Sequence, residues 1–320
     1  MVPDAALIDR FRGDLDALSA PDERIGIAVS GGPDSLALLL LAVAARPGLV
    51  EAATVDHGLR PESQAEAEFV ASVCKKLGVP HATVTARWEE KPQTALQQRA
   101  REERYRLLAN WIADRRLAAL VTAHHADDQA ETVLMRLNRG SGLRGIAGMR
   151  SKAFIPGDNR PLLRPLLSWR RSELAAICDD ARLESVSDPS NRDEQFERVR
   201  VRNALTNSSW LDVAALANSA SHLASADDAL SWVVEGLAHV RVTDDAQALR
   251  IDVAGLPGEL QRRLLLHAFT RFHAPEPRGG DLTRALDALS RGQTVTLAGM
   301  KLEGGATWRL SRAPQRRPPE

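Results

Sequence analysis

The chain has 320 residues, of which 44% are hydrophobic and 26% are charged. This length is typical of two domains, and this composition is typical of a globular protein rather than of a disordered or fibrous chain. The formal net charge is zero, which argues against a uniformly basic surface for binding nucleic acid. The sequence has no run of about 18 apolar residues that would predict a membrane span.

The N-terminus is acidic and amphipathic rather than basic and then apolar, so we expect no export signal and a cytoplasmic location. Cys74 and Cys178 lie far apart in apolar helical patterns, which excludes a CxxC pair and a four-cysteine zinc site. We interpret both as small core residues. Arginine carries almost all of the positive charge, a bias that suits phosphate recognition or reflects a GC-rich genome.

The first half of the chain alternates between β-prone and helical segments. After a helix over 7–18, the predicted strands are 24–29, 50–55, 79–85 and 117–123, and the helices that follow them are 36–45, 62–77, 94–115 and 126–137. This alternation predicts an α/β fold with a parallel, Rossmann-like sheet covered on both faces. Ligands bind such sheets at the carboxyl ends of the strands, here at Ser30, at Asp56-His57 and at His124-His125.

The character of the sequence changes after Leu137. A glycine-rich connection over 140–148 and a proline-punctuated stretch over 156–165 lead to a helix over 168–181 with Ser168 at its N-cap, and then to a turn over 187–191. Helices are predicted over 211–236, 260–272 and 281–289, and strands over 294–297 and 307–310, joined through Gly304-Gly305. We expect a catalytic domain over 1–209 and a smaller, mainly helical domain over 210–320, with a disordered tail over 314–320.

The loop between the first strand and the second helix reads Ser30-Gly31-Gly32-Pro33-Asp34-Ser35. A glycine loop at a helix N-terminus presents backbone N–H groups and the positive end of the helix dipole to a phosphate, and the serine hydroxyls add donors. The loop has neither the Gly-Lys-Ser/Thr ending of a Walker loop nor the third glycine of a dinucleotide fingerprint. We interpret it as an ATP site with pyrophosphate as the leaving group and Asp34 as the ligand of Mg²⁺.

A second cluster runs from His124-His125 through Asp127-Asp128-Gln129 to Glu131. On a helix, His124, Asp128 and Glu131 would share one face. Carboxylates there can bind Mg²⁺ or a cationic amine, and the lack of cysteine makes zinc less suitable. The alternative, a solvated acidic helix start, explains one or two acids but not the whole cluster.

Two groups of arginines are candidate phosphate contacts. The first group lies on the long charged helix and comprises Arg99, Arg101 and Arg104 beside Tyr105. The second alternates along the chain and would direct its guanidinium groups the same way if the segment is extended; it comprises Arg198, Arg200 and Arg202, followed by Asn203. A solvated charged face, on a helix or a surface strand, is the alternative for both groups.

These residues resemble one family, the bacterial tRNA(Ile)-lysidine synthases, and the resemblance covers the whole catalytic domain. The loop alone indicates only the ATP pyrophosphatase superfamily, whereas the His-His-x-Asp-Asp-Gln-x-Glu-Thr block and the glycine-rich segment after it are much more specific. The other matching segments are Val55 to Arg60, Ala100 to Tyr105, Arg139 to Gly145, Arg160 to Leu163, Asp188 to Asn191 and Arg202-Asn203. The part after 209 resembles the family only weakly and corresponds to its short form.

The resemblance implies a two-step reaction. The C2 oxygen of the wobble cytidine in the isoleucine tRNA with anticodon CAU attacks the α-phosphate of ATP, and free L-lysine then displaces AMP to give lysidine. The implied nucleotide contacts are residues 30–35, Asp56, His57 and His124, and the implied lysine contacts are Asp128 and Glu131. The implied catalytic residues are Asp34, Arg101, Asp128 and Glu131, and the implied tRNA contacts are Arg198, Arg200, Arg202 and Asn203.

Two other functions are open to a chain with this loop. A tRNA thiolase activates a base by the same adenylation, but it generally needs a reactive cysteine pair or a cluster, which Cys74 and Cys178 do not supply. An ATP-regulated RNA-binding module would leave the acidic cluster unexplained. The sequence leaves open a homodimer and does not identify the general base.

Overall fold

The computed structural model describes residues 2–58, 62–88, 96–185 and 195–314. It contains two compact units, Met1–Ser221 and His222–Glu320. The turn predicted over 187–191, the first two residues of the helix predicted over 94–115, and residues 315–320 of the predicted tail lie outside the described residues.

The first unit is built on a six-stranded sheet. Its strands are β1 (Ile25–Ala28), β2 (Val50–Asp56), β3 (His81–Thr85), β4 (Ala119–Val121), β5 (Lys152–Phe154) and β6 (Pro161–Leu163), in the order β3-β2-β1-β4-β6-β5. All neighbouring pairs are parallel except β5 with β6. The predicted parallel sheet is therefore confirmed, and β1 lies between β2 and β4, so the three polar strand ends are neighbours.

Helices cover both faces of this sheet. They are α1 (Ala5–Asp16), α2 (Pro33–Ala45), α3 (Glu62–Leu77), α4 (Leu96–Asp114), α5 (Ala126–Asn138), α6 (Leu143–Ile146), α7 (Arg171–Asp180) and α8 (Glu197–Asn207). The central helix α2 is apolar on every side, and it is buried from Ser35 to Ala42. On the opposite face α4 packs so closely that a Cβ on Gly26 of β1 would lie 2.5 Å from Ile112 and 2.6 Å from Trp111.

Two details of the first unit differ from the sequence-based expectation. The helix predicted from Ser168 begins at Arg171, with Arg170 at the N-cap, because the Arg170 N–H donates to Glu173 Oε2 at 2.7 Å. The arginine segment after 197 is the helix α8 and not an extended strip. Arg198 and Arg202 therefore lie one turn apart, and Arg200 lies on another side of the helix.

The second unit contains the end of α9 (Val213–Arg241) together with α10 (Gly258–Arg271) and α11 (Gly279–Ser290). Its sheet has five antiparallel strands, β7 (Val242–Asp245), β8 (Ala248–Asp252), β9 (Thr294–Leu297), β10 (Met300–Glu303) and β11 (Thr307–Arg312), in the order β7-β8-β11-β10-β9. The strands at 294 and 307 were predicted, whereas β7, β8 and β10 were missed. Gly304-Gly305 joins β10 to β11.

Within the described ranges, no helix has the length and apolar character needed to cross a membrane. Cys74 and Cys178 are buried free cysteines, and burial raises the pKa of each thiol to about 11. Both cysteines belong to the apolar core beside α2, which confirms that they are core residues.

Candidate active site

The glycine loop connects β1 to α2 as a compact turn. Gly31 has a φ of +83°, in the left-handed region that favours glycine, and Gly32 is the N-cap of α2 with Pro33 as its first helical residue. The N–H groups of a first helical turn have no carbonyl partner within the helix. The loop therefore offers backbone donors at the positive end of a buried helix.

The two serines of the loop hold its shape. Ser35 Oγ donates to the Gly32 carbonyl at 3.0 Å and accepts from the Ser30 N–H at 3.1 Å, while the two hydroxyl oxygens lie 3.2 Å apart. Behind the loop, Cys178 Sγ donates to the Pro33 carbonyl at 3.1 Å. The Ser35 hydroxyl proton is thus engaged within the loop, which leaves Ser30, the exposed one of the pair, as the side-chain donor for a ligand.

A buried histidine ties the loop to the acidic helix. His125 is only 2% exposed and is the N-cap of α5, so that α5 begins one residue after it. Its Nε2 lies 3.5 Å from Asp34 Oδ2 and 3.5 Å from Asp128 Oδ2, and its Nδ1 lies 3.6 Å from Asp127 Oδ2. One imidazole ring therefore contacts carboxylates from two helices.

These carboxylates determine the charge of His125. Burial alone lowers the pKa of the ring, but the hydrogen bonds with Asp127 and Asp34 and the charges of Asp128 and Asp34 raise it to about 9. Asp127 in turn accepts from the Arg171 N–H at 2.8 Å, at the start of α7. We conclude that His125 is an imidazolium at the point where the first turns of α2, α5 and α7 meet.

His124 differs from its neighbour in both position and charge. It precedes α5, so it does not share a helical face with Asp128 and Glu131 as its spacing suggested. Its Nδ1 lies 2.9 Å from Thr122 Oγ1, and burial lowers its pKa well below 6.5. The charges of four arginines lower the pKa further, and these are Arg164, Arg104, Arg198 and Arg101. His124 is therefore a neutral imidazole beside a group of cations.

Asp128 and Glu131 lie on one face of α5 and form ion pairs with arginine side chains of α8. Arg198 Nε donates to Glu131 Oε2 at 2.6 Å and Arg198 Nη2 donates to Asp128 Oδ1 at 2.9 Å. Arg202 Nε donates to the other oxygen, Glu131 Oε1, at 2.7 Å. The Glu131 side chain is 2% exposed and the Asp128 side chain 16% exposed, so Asp128 is the more accessible carboxylate.

The cations beside His124 come from two elements. Arg101 and Arg104 of α4 lie over the buried ring of Tyr105, at 5.0 and 5.3 Å from its centroid. Arg164 follows β6 and is buried, and its Nη1 donates to the Arg150 carbonyl at 2.7 Å. No carboxylate of the described residues forms a salt bridge with any of these three arginines. They form a positive site beside His124, which we call the arginine cluster (Arg101, Arg104 and Arg164).

Comparisons with known proteins identify the family of this chain. The family model described as the PP-loop domain matches residues 7–209. The tRNA(Ile)-lysidine synthase of Novosphingobium aromaticivorans is 48% identical over 311 residues, which cover 96% of this chain and 94% of that protein. The tRNA(Ile)-lysidine synthase of Zymomonas mobilis is 44% identical over 305 residues, which cover 94% of this chain and 92% of that protein.

The chain belongs to the tRNA(Ile)-lysidine synthase family. Its PP-loop domain makes it an ATP-dependent ligase of that family. Among solved structures, the U34-tRNA thiolase NcsA of Methanococcus maripaludis has a TM-score of 0.57 at 15% identity, over 69% of this chain and 80% of the thiolase. At that identity the thiolase shows a shared fold only.

Within this member of the lysidine synthase family, the remaining motif residues have identifiable contacts. Asp56 Oδ1 accepts from the Gly58 N–H at 2.8 Å and from Ser63 Oγ at 2.7 Å, so this carboxylate holds the turn after β2. The His57 carbonyl accepts from Trp88 Nε1 at 2.7 Å. Arg200 and Asn203 are exposed on α8.

Gln129 connects the acidic block with the glycine-rich segment after it. Its Oε1 accepts from the Met149 N–H at 2.7 Å and its Nε2 donates to the Met149 carbonyl at 2.9 Å. Gly148 has a φ of +69°, and a Cβ there would lie 2.6 Å from Gln129 Oε1. The two most specific motifs of the sequence are therefore one packed unit.

Three residues that the structure brings to this site had no assigned role in the sequence analysis. His125 was named only as part of its cluster, and Arg104 only as a member of its arginine group. Arg164 was not named because it follows β6, a three-residue strand that was not predicted. Had β6 been predicted, the position of Arg164 at the carboxyl end of a strand would have indicated a site residue.

Proposed function

We propose that this chain joins free L-lysine to C2 of the wobble cytidine in the isoleucine tRNA with anticodon CAU, through an adenylated cytidine. The cytidine C2 oxygen first attacks the α-phosphate of ATP, and pyrophosphate leaves. The ε-amine of lysine then attacks C2, and AMP leaves with that oxygen. The observation that carries this proposal is the His125 ring, which links Asp34 of the phosphate loop to Asp128 of the amine-binding helix.

In this proposal the ATP phosphates bind between the glycine loop and the arginine cluster. The loop supplies backbone N–H donors and the Ser30 hydroxyl, and the arginines supply positive charge in a partly buried place. His124 is neutral there and can donate or accept a hydrogen bond without adding charge. Asp56 and His57 act through the shape of the neighbouring strand end.

Asp34 has the chemistry that Mg²⁺ requires. Its Oδ2 faces His125, while its Oδ1 is buried and forms no hydrogen bond. Within the described residues no group of three or more His, Cys, Asp or Glu side chains suits a metal, so Mg²⁺ would share Asp34 with phosphate oxygens. Bound there, it would neutralise charge on the departing pyrophosphate.

The amine-binding half of the proposal rests on Asp128 and Glu131. Two carboxylates on one face of α5 suit an ammonium group, and one of them, Asp128, contacts the same imidazole ring as Asp34 of the phosphate loop. Asp128 is the side chain we propose to accept the proton of the attacking amine, because Glu131 is held on both oxygens by arginines. Arg200 and Asn203 lie exposed on α8 and are the residues we assign to tRNA contact there.

The experiment is an incorporation assay with labelled lysine. Purified protein with ATP, Mg²⁺ and a transcript of the CAU isoleucine tRNA should transfer lysine to the tRNA and release AMP and pyrophosphate in equal amounts. Asp34→Asn should abolish both, since the amide cannot replace the charged carboxylate. A protein that incorporates lysine without the tRNA, or none with the correct tRNA, would contradict the proposal.

A further inference from the structure

The carboxylates that we assign to the amine are already ion-paired within the chain. Glu131 accepts from Arg198 at 2.6 Å and from Arg202 at 2.7 Å, and Asp128 accepts from Arg198 at 2.9 Å. The connected cluster contains four carboxylates and four cations, which sum to zero charge: Asp34, Asp127, Asp128 and Glu131 with His125, Arg170, Arg198 and Arg202. A site with no net charge attracts an ammonium group only weakly, and the nearby arginine cluster, which has no salt bridge with a carboxylate of the described residues, weakens the attraction further.

Arg198 and Arg202 are not equivalent in this arrangement. Arg202 contacts Glu131 alone, whereas Arg198 bridges both carboxylates and occupies the position between them. Arg198 also lies close enough to His124 and Arg104 for its charge to act on both of them. Its guanidinium therefore contacts the acidic pair and also lies near the arginine cluster.

We propose that Arg198 occupies the site at which the lysine amine would bind. A phosphate-bearing substrate draws this guanidinium away from Asp128 and Glu131, so lysine binding depends on that substrate. Arg202 stays on Glu131, so the vacated place presents one net negative charge to the incoming ammonium. The phosphate comes from ATP or from the tRNA, since either one offers the anion that a guanidinium prefers. This inference rests on the proposed lysine site.

The proposal predicts how lysine affinity depends on the other substrates. Lysine binding is measured by calorimetry with lysine alone, with α,β-methylene ATP and Mg²⁺, and with the tRNA transcript. In the unmodified protein at least one of these additions tightens lysine binding by roughly tenfold, the size of a typical coupling between sites. The two arms separate ATP from tRNA as the source of the phosphate.

Arg198→Gln removes the competing charge. With lysine alone this variant binds roughly tenfold more tightly than the unmodified protein, and neither addition tightens its binding further. Arg198→Lys keeps a cation that can pair with Asp128, so its affinity for lysine alone stays weak, and this separates charge from a structural effect. Arg139→Gln is the matched control, because Arg139 pairs with Glu197 at the start of α8 and contacts neither carboxylate.

Two results would overturn the proposal: an Arg198→Gln protein that folds normally but binds lysine alone no better than the unmodified protein, or an unmodified protein whose lysine affinity responds to neither addition. Asp128→Asn tests the lysine site itself. If this variant binds lysine normally, the proposed lysine site is wrong. If it loses lysine binding while Arg198→Gln gains none, only the role of Arg198 is wrong.

Discussion

Glu131 is a buried charge whose removal has a calculable cost. Its side chain is 2% exposed and accepts three hydrogen bonds from two guanidinium groups. Glu131→Gln keeps the shape but places an NH₂ group against an arginine, removes the counter-charge of Arg202 and leaves Arg198 with Asp128 as its carboxylate partner. Breaking a buried pair costs about 3–5 kcal/mol. Because Arg198 is 41% and Arg202 26% exposed and both can rehydrate, we expect about 2–3 kcal/mol.

The assay is equilibrium unfolding in urea without substrates. With a slope of about 2 kcal/mol/M, the loss corresponds to a midpoint lowered by roughly 1 M at unchanged slope. Asp9→Asn is the control, because Asp9 forms an exposed pair with Arg12 and its loss costs less than about 0.5 kcal/mol.

The double variant Glu131→Gln/Arg202→Met identifies the cause. If the cost comes from an uncompensated guanidinium, removing Arg202 recovers about 1 kcal/mol, so the two changes are not additive. A Glu131→Gln protein as stable as the unmodified one would refute the reasoning, and so would strict additivity in the double variant.

Three further predictions follow from other contacts. Gly26→Ala places a Cβ within 2.6 Å of two side chains of α4 and lowers the free energy of unfolding by about 1–3 kcal/mol, measurable in the same urea titration. The stabilisation that His125 contributes through its raised pKa is fully present below pH 6.5 and is lost as the pH rises through about 9. It amounts to about 3 kcal/mol for a shift of that size, so unfolding of the metal-free protein followed from pH 6 to 10 shows a decline that His125→Gln lacks. The double variant Cys74→Ala/Cys178→Ala retains lysine incorporation, because both thiols are buried with a pKa of about 11; a folded variant without activity would favour thiol chemistry.

Local sequence patterns were sufficient for four of the six strands of the first sheet and for the helices that follow them, whereas β5 and β6, of three residues each, were not predicted. The strands β1 to β4 are short apolar runs between helices of regular period, and the carboxyl-end rule located the loop at Ser30 and the cluster at His124. The strands β7, β8 and β10 were missed because each has four or five residues, of which at most three are apolar. Such short segments carry too few apolar residues for a period to be read.

The arrangement within the site depends on pairings that no local pattern contains. Arg198 is 67 residues from Glu131 in the chain, and only the packing of α8 on α5 brings them together. The same packing decided that the arginine segment is helical, since Arg198 and Arg202 reach Glu131 from successive turns. The role of His125 depends on where α5 begins, and helix boundaries are the least certain part of a sequence-based prediction.

The position of His125 also explains how three carboxylate side chains can lie close together. The first turns of α2, α5 and α7 each favour a nearby anion, and Asp34, Asp127 and Asp128 lie there. Like charges at that separation repel unless a cation lies between them, and the imidazolium lies within 3.6 Å of all three. Because the same ring contacts Asp34 and Asp128, it connects the loop after β1 directly to the first turn of α5.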